Sequence, residues 1–322
     1  MRKPRIKLSG RTAVYHCMSR VVGGQFLLLE AERDQFRRML RKQAQFCGVQ
    51  IVTHSVLSNH FHVEARIPQR APLEDAELLG RAERFYGPQH PFVRLLLEAR
   101  DPHGALPEPL RQQLRNRMGD VSVFMKELKQ RFSRWYNRRN DRFGTLWAER
   151  FRSVLIEDTP EAVGTVAAYI DLNAVRAGLV PDPKDYPFCG YGQAVGGDPL
   201  AREGLLSFLE AKDWESGGAE YRLKLFVEGG TAGQSDKVLL DREAILKVIK
   251  AGGKIGRAEA LRLRIRYLRD GLVLGSEEFV NQIFREFRDR FGPKRKTGAR
   301  KLKGLPFEGL RTLRDLRVNV LS

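Results

Sequence analysis

The residues His60 to Ile67, read HFHVEARI, alternate polar and apolar without a break. Side chains on a strand point to opposite faces in turn, so Phe61, Val63, Ala65 and Ile67 share one face and His60, His62, Glu64 and Arg66 the other. Such a strand belongs in a sheet whose apolar side is covered. The preceding residues supply its neighbours. Val49 to Leu57 (VQIVTHSVL) reads as a second strand, joined through a tight turn at Ser58-Asn59. Thr12 to Ser19 (TAVYHCMS) is β-branched and aromatic enough for another strand, and Ala31 to Phe46 carries the period of an amphipathic helix. Strand, helix, strand, strand is the front of a ferredoxin-like split βαβ layout. The expected fold class is therefore α+β, with an antiparallel sheet.

Residues 68–120, rich in Pro and Gly, read as an insertion with short helical pieces. Val121 to Arg139 returns to helical periodicity, and beyond a turn at Gly144 the stretch Trp147 to Ile156 reads as a fourth strand. Thr159-Pro160-Glu161 starts a helix with a capping hydroxyl, a proline and an acid, and Gly178 ends it. The expected organisation is a unit over 1–190, a glycine-rich linker over 191–235 with a helix inside it, and a basic, mostly helical extension over 236–322. In that extension Asp241 to Lys250, Arg257 to Arg269 and the residues after Ser276 are candidate helices.

Charge narrows the partners. Lys and Arg number 57 against 39 Asp and Glu, a net charge of +18, while 42% of the residues are hydrophobic. That describes a globular protein with a polyanionic partner, either nucleic acid or an acidic membrane surface. Apolar runs such as Phe26 to Leu29 fall far short of the roughly 20 residues a membrane span needs. No apolar stretch follows the basic N-terminus, so a secretory signal is not expected. Cys17, Cys47 and Cys189 show no CxxC spacing, which argues against disulfides and a cysteine zinc site and for a reducing, cytoplasmic setting, here nucleoid-associated.

Two groups of residues could carry chemistry. His60 and His62 lie on one strand face with Cβ atoms about 6–7 Å apart, close enough to share a divalent metal. A polar sheet face that merely carries two histidines is the plainer alternative. Tyr169 and Asn173, in YIDLNAVRAGLV, stand at i and i+4 on a helix, in a row with Arg176 at the edge of its apolar face. The plainer alternative here is a tyrosine that tucks its ring against the sheet. Taken together, an amide oxygen beside two imidazoles suits Mg²⁺ or Mn²⁺, and the cation would sit on a phosphodiester. Tyr169 would then be the nucleophile, its phenolate forming a recoverable bond to phosphate.

The chain resembles the single-tyrosine HUH transposases, specifically the REP-associated tyrosine transposases. The resemblance rests on YHCMSR, SNHFHVEARIP, FGTLWAERFRSVLIED, YIDLNAVRAGLV and DYPFCGYG, in that order, and covers roughly Tyr15 to Tyr191 outside the insertion. It implies a ferredoxin-like core that cuts single-stranded DNA beside palindromic hairpins, leaving a 5′-phosphotyrosine and a free 3′-OH. The family's histidines would be His60 and His62, its tyrosine Tyr169 and its polar metal ligand Asn173. Ala174 departs from the proline common after that asparagine. Tyr136, in RFSRWYNRR, is the rival nucleophile, read as DNA-contacting or structural.

Lys126 to Arg152 interleaves aromatic side chains with nine Lys or Arg, a pattern suited to single-stranded or hairpin DNA. The candidate contacts there are Arg131, Arg134, Trp135, Tyr136, Arg138, Arg139, Arg150 and Arg152. Phe132 and Trp135 as core residues beside a solvated charged face are the alternative. The run Pro293 to Lys303 holds six Lys or Arg, and Lys294, Arg295 and Lys296 are further candidates. A DNA-cleaving and strand-joining enzyme is the first expectation. A non-catalytic nucleic-acid binder of the same fold is the second. A zinc hydrolase is weaker, because no further His, Cys or acid cluster is spaced to complete its ligand set.

Overall fold

A computed structural model describes residues 5–8, 10–69, 73–226 and 257–314. Four strands form the centre: β1 (Ala13–Arg20), β2 (Gln50–Val56), β3 (His60–Ile67) and β4 (Arg152–Ile156). Helix α1 (Glu30–Cys47) follows β1, and α5 (Val121–Arg139) precedes β4. The order across the sheet is β2-β3-β1-β4, and all three pairings are antiparallel, with β1 in the middle of β3 and β4. This is the ferredoxin-like arrangement expected from the sequence.

Both faces of this sheet are covered. On the apolar side, Phe36 of α1 lies 4.5 Å from Phe61 and 5.1 Å from Phe132 of α5, ring centre to ring centre. Gly48 takes a left-handed φ of 67°, ending α1 so that the chain can turn into β2. Asp120 caps α5 by accepting hydrogen bonds from the Ser122 and Val123 backbone N–H groups. The insertion forms α2 (Asp75–Tyr86), α3 (Pro91–Glu98) and α4 (Glu108–Arg115). It buries Leu78, Phe85, Leu96 and Leu114, with Phe85 stacked 4.5 Å from Phe46 at the end of α1.

The polar side carries His16, His60, His62 and Glu64, and α6 (Pro160–Asp171) lies across it. Thr159 caps α6 and Pro160 opens it, as the sequence predicts. The helix does not run unbroken to Gly178, however. It breaks at Leu172, and Asn173–Arg176 forms a separate turn, α7.

Two expectations for the second half require correction. Residues 191–226 are not a linker. They continue α8 (Gly190–Val195) and form α9 (Pro199–Leu206) and α10 (Trp214–Phe226), with Cys189 bridged to Ser55 at the edge of β2. The glycines that resemble a flexible tract serve close packing instead. A Cβ at Gly190 would lie 2.1 Å from Thr53 Oγ1, and one at Gly204 would lie 2.3 Å from the Ile51 carbonyl oxygen. Only glycine lets these helices sit flush against β2. The end of the chain is also not simply helical. After α11 (Arg257–Leu261) and α12 (Arg266–Asp270) comes β5 (Val273–Gly275), which pairs in parallel with β4. Past α13 (Glu277–Glu286), β6 (Arg300–Lys301) and β7 (Arg311–Thr312) complete a seven-stranded sheet, order β2-β3-β1-β4-β5-β7-β6. The expected helix over Arg257 to Arg269 is thus two short helices, and the one over Asp241 to Lys250 lies outside the described residues.

Candidate active site

The histidines of β3 reach the polar face as their alternation requires, ring centres 5.2 Å apart and rings nearly perpendicular. Burial holds His60 down to about 3 and His62 well below the usual 6.5, so both imidazoles are neutral near pH 7. A neutral ring has one N–H and one lone pair, and the partners decide which nitrogen holds which. The Asn59 carboxamide oxygen lies 2.6 Å from His60 Nδ1 and can only accept. His60 therefore donates from Nδ1 and keeps its lone pair on Nε2.

His62 is fixed through a residue that the sequence reading did not single out. His16, fully buried on β1, has Nδ1 2.8 Å from the Leu268 carbonyl oxygen and Nε2 2.8 Å from His62 Nδ1. The carbonyl can only accept, so His16 donates from Nδ1. Its Nε2 then accepts from His62 Nδ1, and the lone pair of His62 is left on Nε2. The sequence held half of this signal. His16 shares the sheet face of His62 because the β1–β3 register pairs Met18 with His62. The carbonyl at Leu268, 252 residues away, has no such trace.

Tyr169 comes to the same place. Its ring centre is 6.2 Å from those of both His16 and His62. The half-exposed edge expected for this row is not what folds. Tyr169 is 2% and Asn173 7% exposed. The Arg176 guanidinium lies 4.0 Å over the Tyr169 ring and donates to the Leu261 carbonyl at 2.8 Å, so the C-terminal segment helps to cover the tyrosine. Arg176 also donates to Asn173 Oδ1 at 3.2 Å, leaving the Asn173 amide NH2 to face His60 Nε2 at 3.1 Å.

Two neutral Nε2 lone pairs on one face suit a divalent cation, with oxygen ligands from a substrate completing the shell. Among the described residues no group of three His, Cys, Asp or Glu is placed to hold a metal ion, so the protein offers two imidazoles and an amide at most. Asn173 Oδ1 would have to leave Arg176 to join them. The charges that bear most on His60 are those of Arg20, Arg269, Arg264 and Arg176. These arginines disfavour a lone cation at the imidazoles and favour an anionic ligand beside it. Glu64, two residues beyond His62, is wholly buried, and neither carboxylate oxygen has a partner among the described residues. Burial pushes it well above the ordinary carboxylate range.

The basic aromatic stretch divides. Arg134, Arg138 and Arg150 line a groove of about 1240 Å³ with Lys126 and Arg142; Glu149 is its single acid, and Phe143, 89% exposed, stands at its rim. The groove reaches the end of β1, where the Ala148 N–H donates to the Arg20 carbonyl. The other expected contacts have partners within the protein, Arg139 while still exposed and Arg152 while still partly exposed. Tyr136 is buried in the core and Trp135 packs half-buried on Phe132. Arg131 lies 4.1 Å over Phe85, and Arg139 is 3.7 Å from Glu32. Arg152 bridges Glu149 and Asp270. Lys294 and Lys296 are exposed, whereas Arg295 stacks on Phe284 and Phe291 and donates to the Gly298 carbonyl. No helix among the described residues is long and apolar enough to cross a membrane.

No protein-family model and no curated protein matches the chain. Among solved structures, the chain is similar to a REP-associated tyrosine transposase bound to a REP hairpin. The identity is 17% and the TM-score 0.40, over 62% of this chain and 90% of that one. It is also similar to a candidate transposase from Deinococcus radiodurans, at 18% identity and TM-score 0.18, over 36% of this chain and 94% of that one.

Proposed function

We propose that the protein cleaves and rejoins single-stranded DNA at hairpin sequences through a covalent phosphotyrosine. The observation that carries this reading is the shared face of His60 and His62, both with Nε2 lone pairs free of protons, beside the Tyr169 ring. Tyr169 Oη gives its proton to water and attacks the scissile phosphorus, the bond from phosphorus to the 3′ oxygen breaks, and the released 3′ alkoxide takes a proton from water as a hydroxyl. The new Tyr–phosphate ester keeps the energy of the broken bond, and attack by a second 3′-OH reverses the step and joins strands. His60 and His62 would hold a divalent cation through their Nε2 lone pairs, and that cation would supply charge neutralisation at the phosphate. Arg20, Arg264 and Arg269, whose charges act on His60, would offset the phosphate charge. The groove along α5 offers cations for the backbone and Phe143 for a base.

Arg176 lies over the face of the Tyr169 ring, so a DNA strand that reaches the phenol meets that guanidinium beside it. A binder that never cuts would keep the tyrosine covered, and this burial is what favours the non-catalytic alternative. A labelled single-stranded hairpin incubated with Mn²⁺ and run on a denaturing gel decides between them. An adduct that disappears in Tyr169→Phe and in EDTA is expected. No adduct from the unaltered protein, or an adduct unaffected by EDTA, contradicts the proposal.

A further inference from the structure

We infer that His16 is a positioning residue: it sets the tautomer of His62, and the C-terminal segment sets the tautomer of His16. The chain of hydrogen bonds runs from the Leu268 carbonyl oxygen to His16 Nδ1, 2.8 Å, and from His16 Nε2 to His62 Nδ1, 2.8 Å. Its first member is a backbone acceptor, which has no proton to give, and with the wholly buried His16 neutral this fixes the polarity of both bonds. His16 is 0% exposed and His62 4%, so water does not compete at either nitrogen. The ring centres are 5.0 Å apart.

The consequence concerns metal affinity, and that consequence rests on the function proposed above. A ligating imidazole binds through a lone pair, and a partner on its other nitrogen fixes which lone pair is available and raises its basicity. Without the His16 acceptor, His62 would be free to move its proton to Nε2, where it blocks coordination. His16 touches neither substrate nor metal in this scheme. It acts through His62, and the segment after Arg257 becomes part of the active centre through one carbonyl group.

The test uses the full chain with ¹⁵N-labelled histidine and three variants, His16→Gln, His16→Leu and His62→Ala. Long-range ¹H–¹⁵N spectra report the imidazole tautomer directly, with the His62 signals assigned by their loss in His62→Ala. His62 should be Nδ1-protonated in the unaltered protein and in His16→Gln, whose carbonyl oxygen can still accept. His16→Leu should populate the Nε2-protonated form. Mn²⁺ affinity, read by electron paramagnetic resonance with a single-stranded oligonucleotide present, should fall about 10- to 100-fold in His16→Leu and recover in His16→Gln. An unchanged His62 tautomer in His16→Leu, in a protein whose other histidine signals are native, overturns the inference. Mn²⁺ that fails to bind the unaltered protein while the tautomers follow the expected pattern overturns the metal-assisted function instead. If His16→Leu does not fold, Nε2 protonation of His62 in the unaltered protein, or in folded His16→Gln, overturns the relay.

Discussion

Phe143 is the single side chain whose exposure is hardest to reconcile with folding alone. A phenylalanine left 89% in water gives up a contribution of about 2 kcal/mol that burial would have supplied. At the rim of a groove that holds seven Lys or Arg and one acid, a ring in that position suits a base stacked on its face. Phe143→Ala should therefore weaken binding of single-stranded DNA by about 1–3 kcal/mol, roughly 5- to 150-fold, while leaving thermal unfolding unchanged. Fluorescence anisotropy with a labelled oligonucleotide measures the first and a melt the second. Equal affinity in the two proteins would remove Phe143 from the interface. The same scale separates the two tyrosines. Tyr136 sits in the core beside Phe132, whereas Tyr169 has two imidazoles and a guanidinium against its ring.

Among the elements, the helices α8 to α10 change how the chain can be divided. Asp171, wholly buried, accepts hydrogen bonds from Thr53 Oγ1, from the Tyr191 backbone N–H and, at 2.7 Å, from Tyr221 Oη. A chain ending at Gly190 loses the last two donors and uncovers β2. It should fail to give a cooperative melt, and a soluble, cooperatively melting 1–190 fragment that forms the adduct would show the opposite. The first four strands, α1 and α5 were legible because each carries its period in its own residues, as HFHVEARI does for β3. The helices after Gly190 were not, because glycine has the same signature whether it loosens a linker or seats a helix against a strand. Strands β6 and β7 are two residues each, too short to show any alternation. The site was legible in part: His60, His62 and Tyr169 meet, but the cover provided by Arg176 depends on the Leu261 carbonyl, a contact 85 residues long.

At the scale of the whole molecule, buried ionisable groups set the response to pH. Burial lowers His16, His54 and His60 to about 3 and His62 well below 6.5. Their contribution to stability is full above about 6.5, where the unfolded histidines are neutral too, and it is lost as pH falls toward 3. Asp171, raised to about 6, and Glu64, raised well above 4.5, act in the reverse sense, contributing stability in acid that is lost as pH rises through their folded values. Between about pH 6.5 and 5 the four histidines make the unfolded chain bind more protons than the native state, while Asp171 and Glu64 oppose them; with four groups against two, stability falls on acidification. Urea midpoints at pH 7, 6 and 5 should decline in that order, and a midpoint that rises toward pH 5 would show that the carboxyls dominate.

The parallel pairing of β4 with β5 also has a meaning in time. The partners Leu155 and Val273 are made 118 residues apart. At about 5–20 residues per second, synthesis leaves the outer edge of β4 without its neighbour for on the order of ten seconds. During that interval the edge is open to wrong pairing, and neither the Leu268 carbonyl nor the cover held by Leu261 exists. The nascent chain thus holds His60, His62 and Tyr169 before it holds the two carbonyl groups that order them, and the candidate site is complete only once Leu268 has been made.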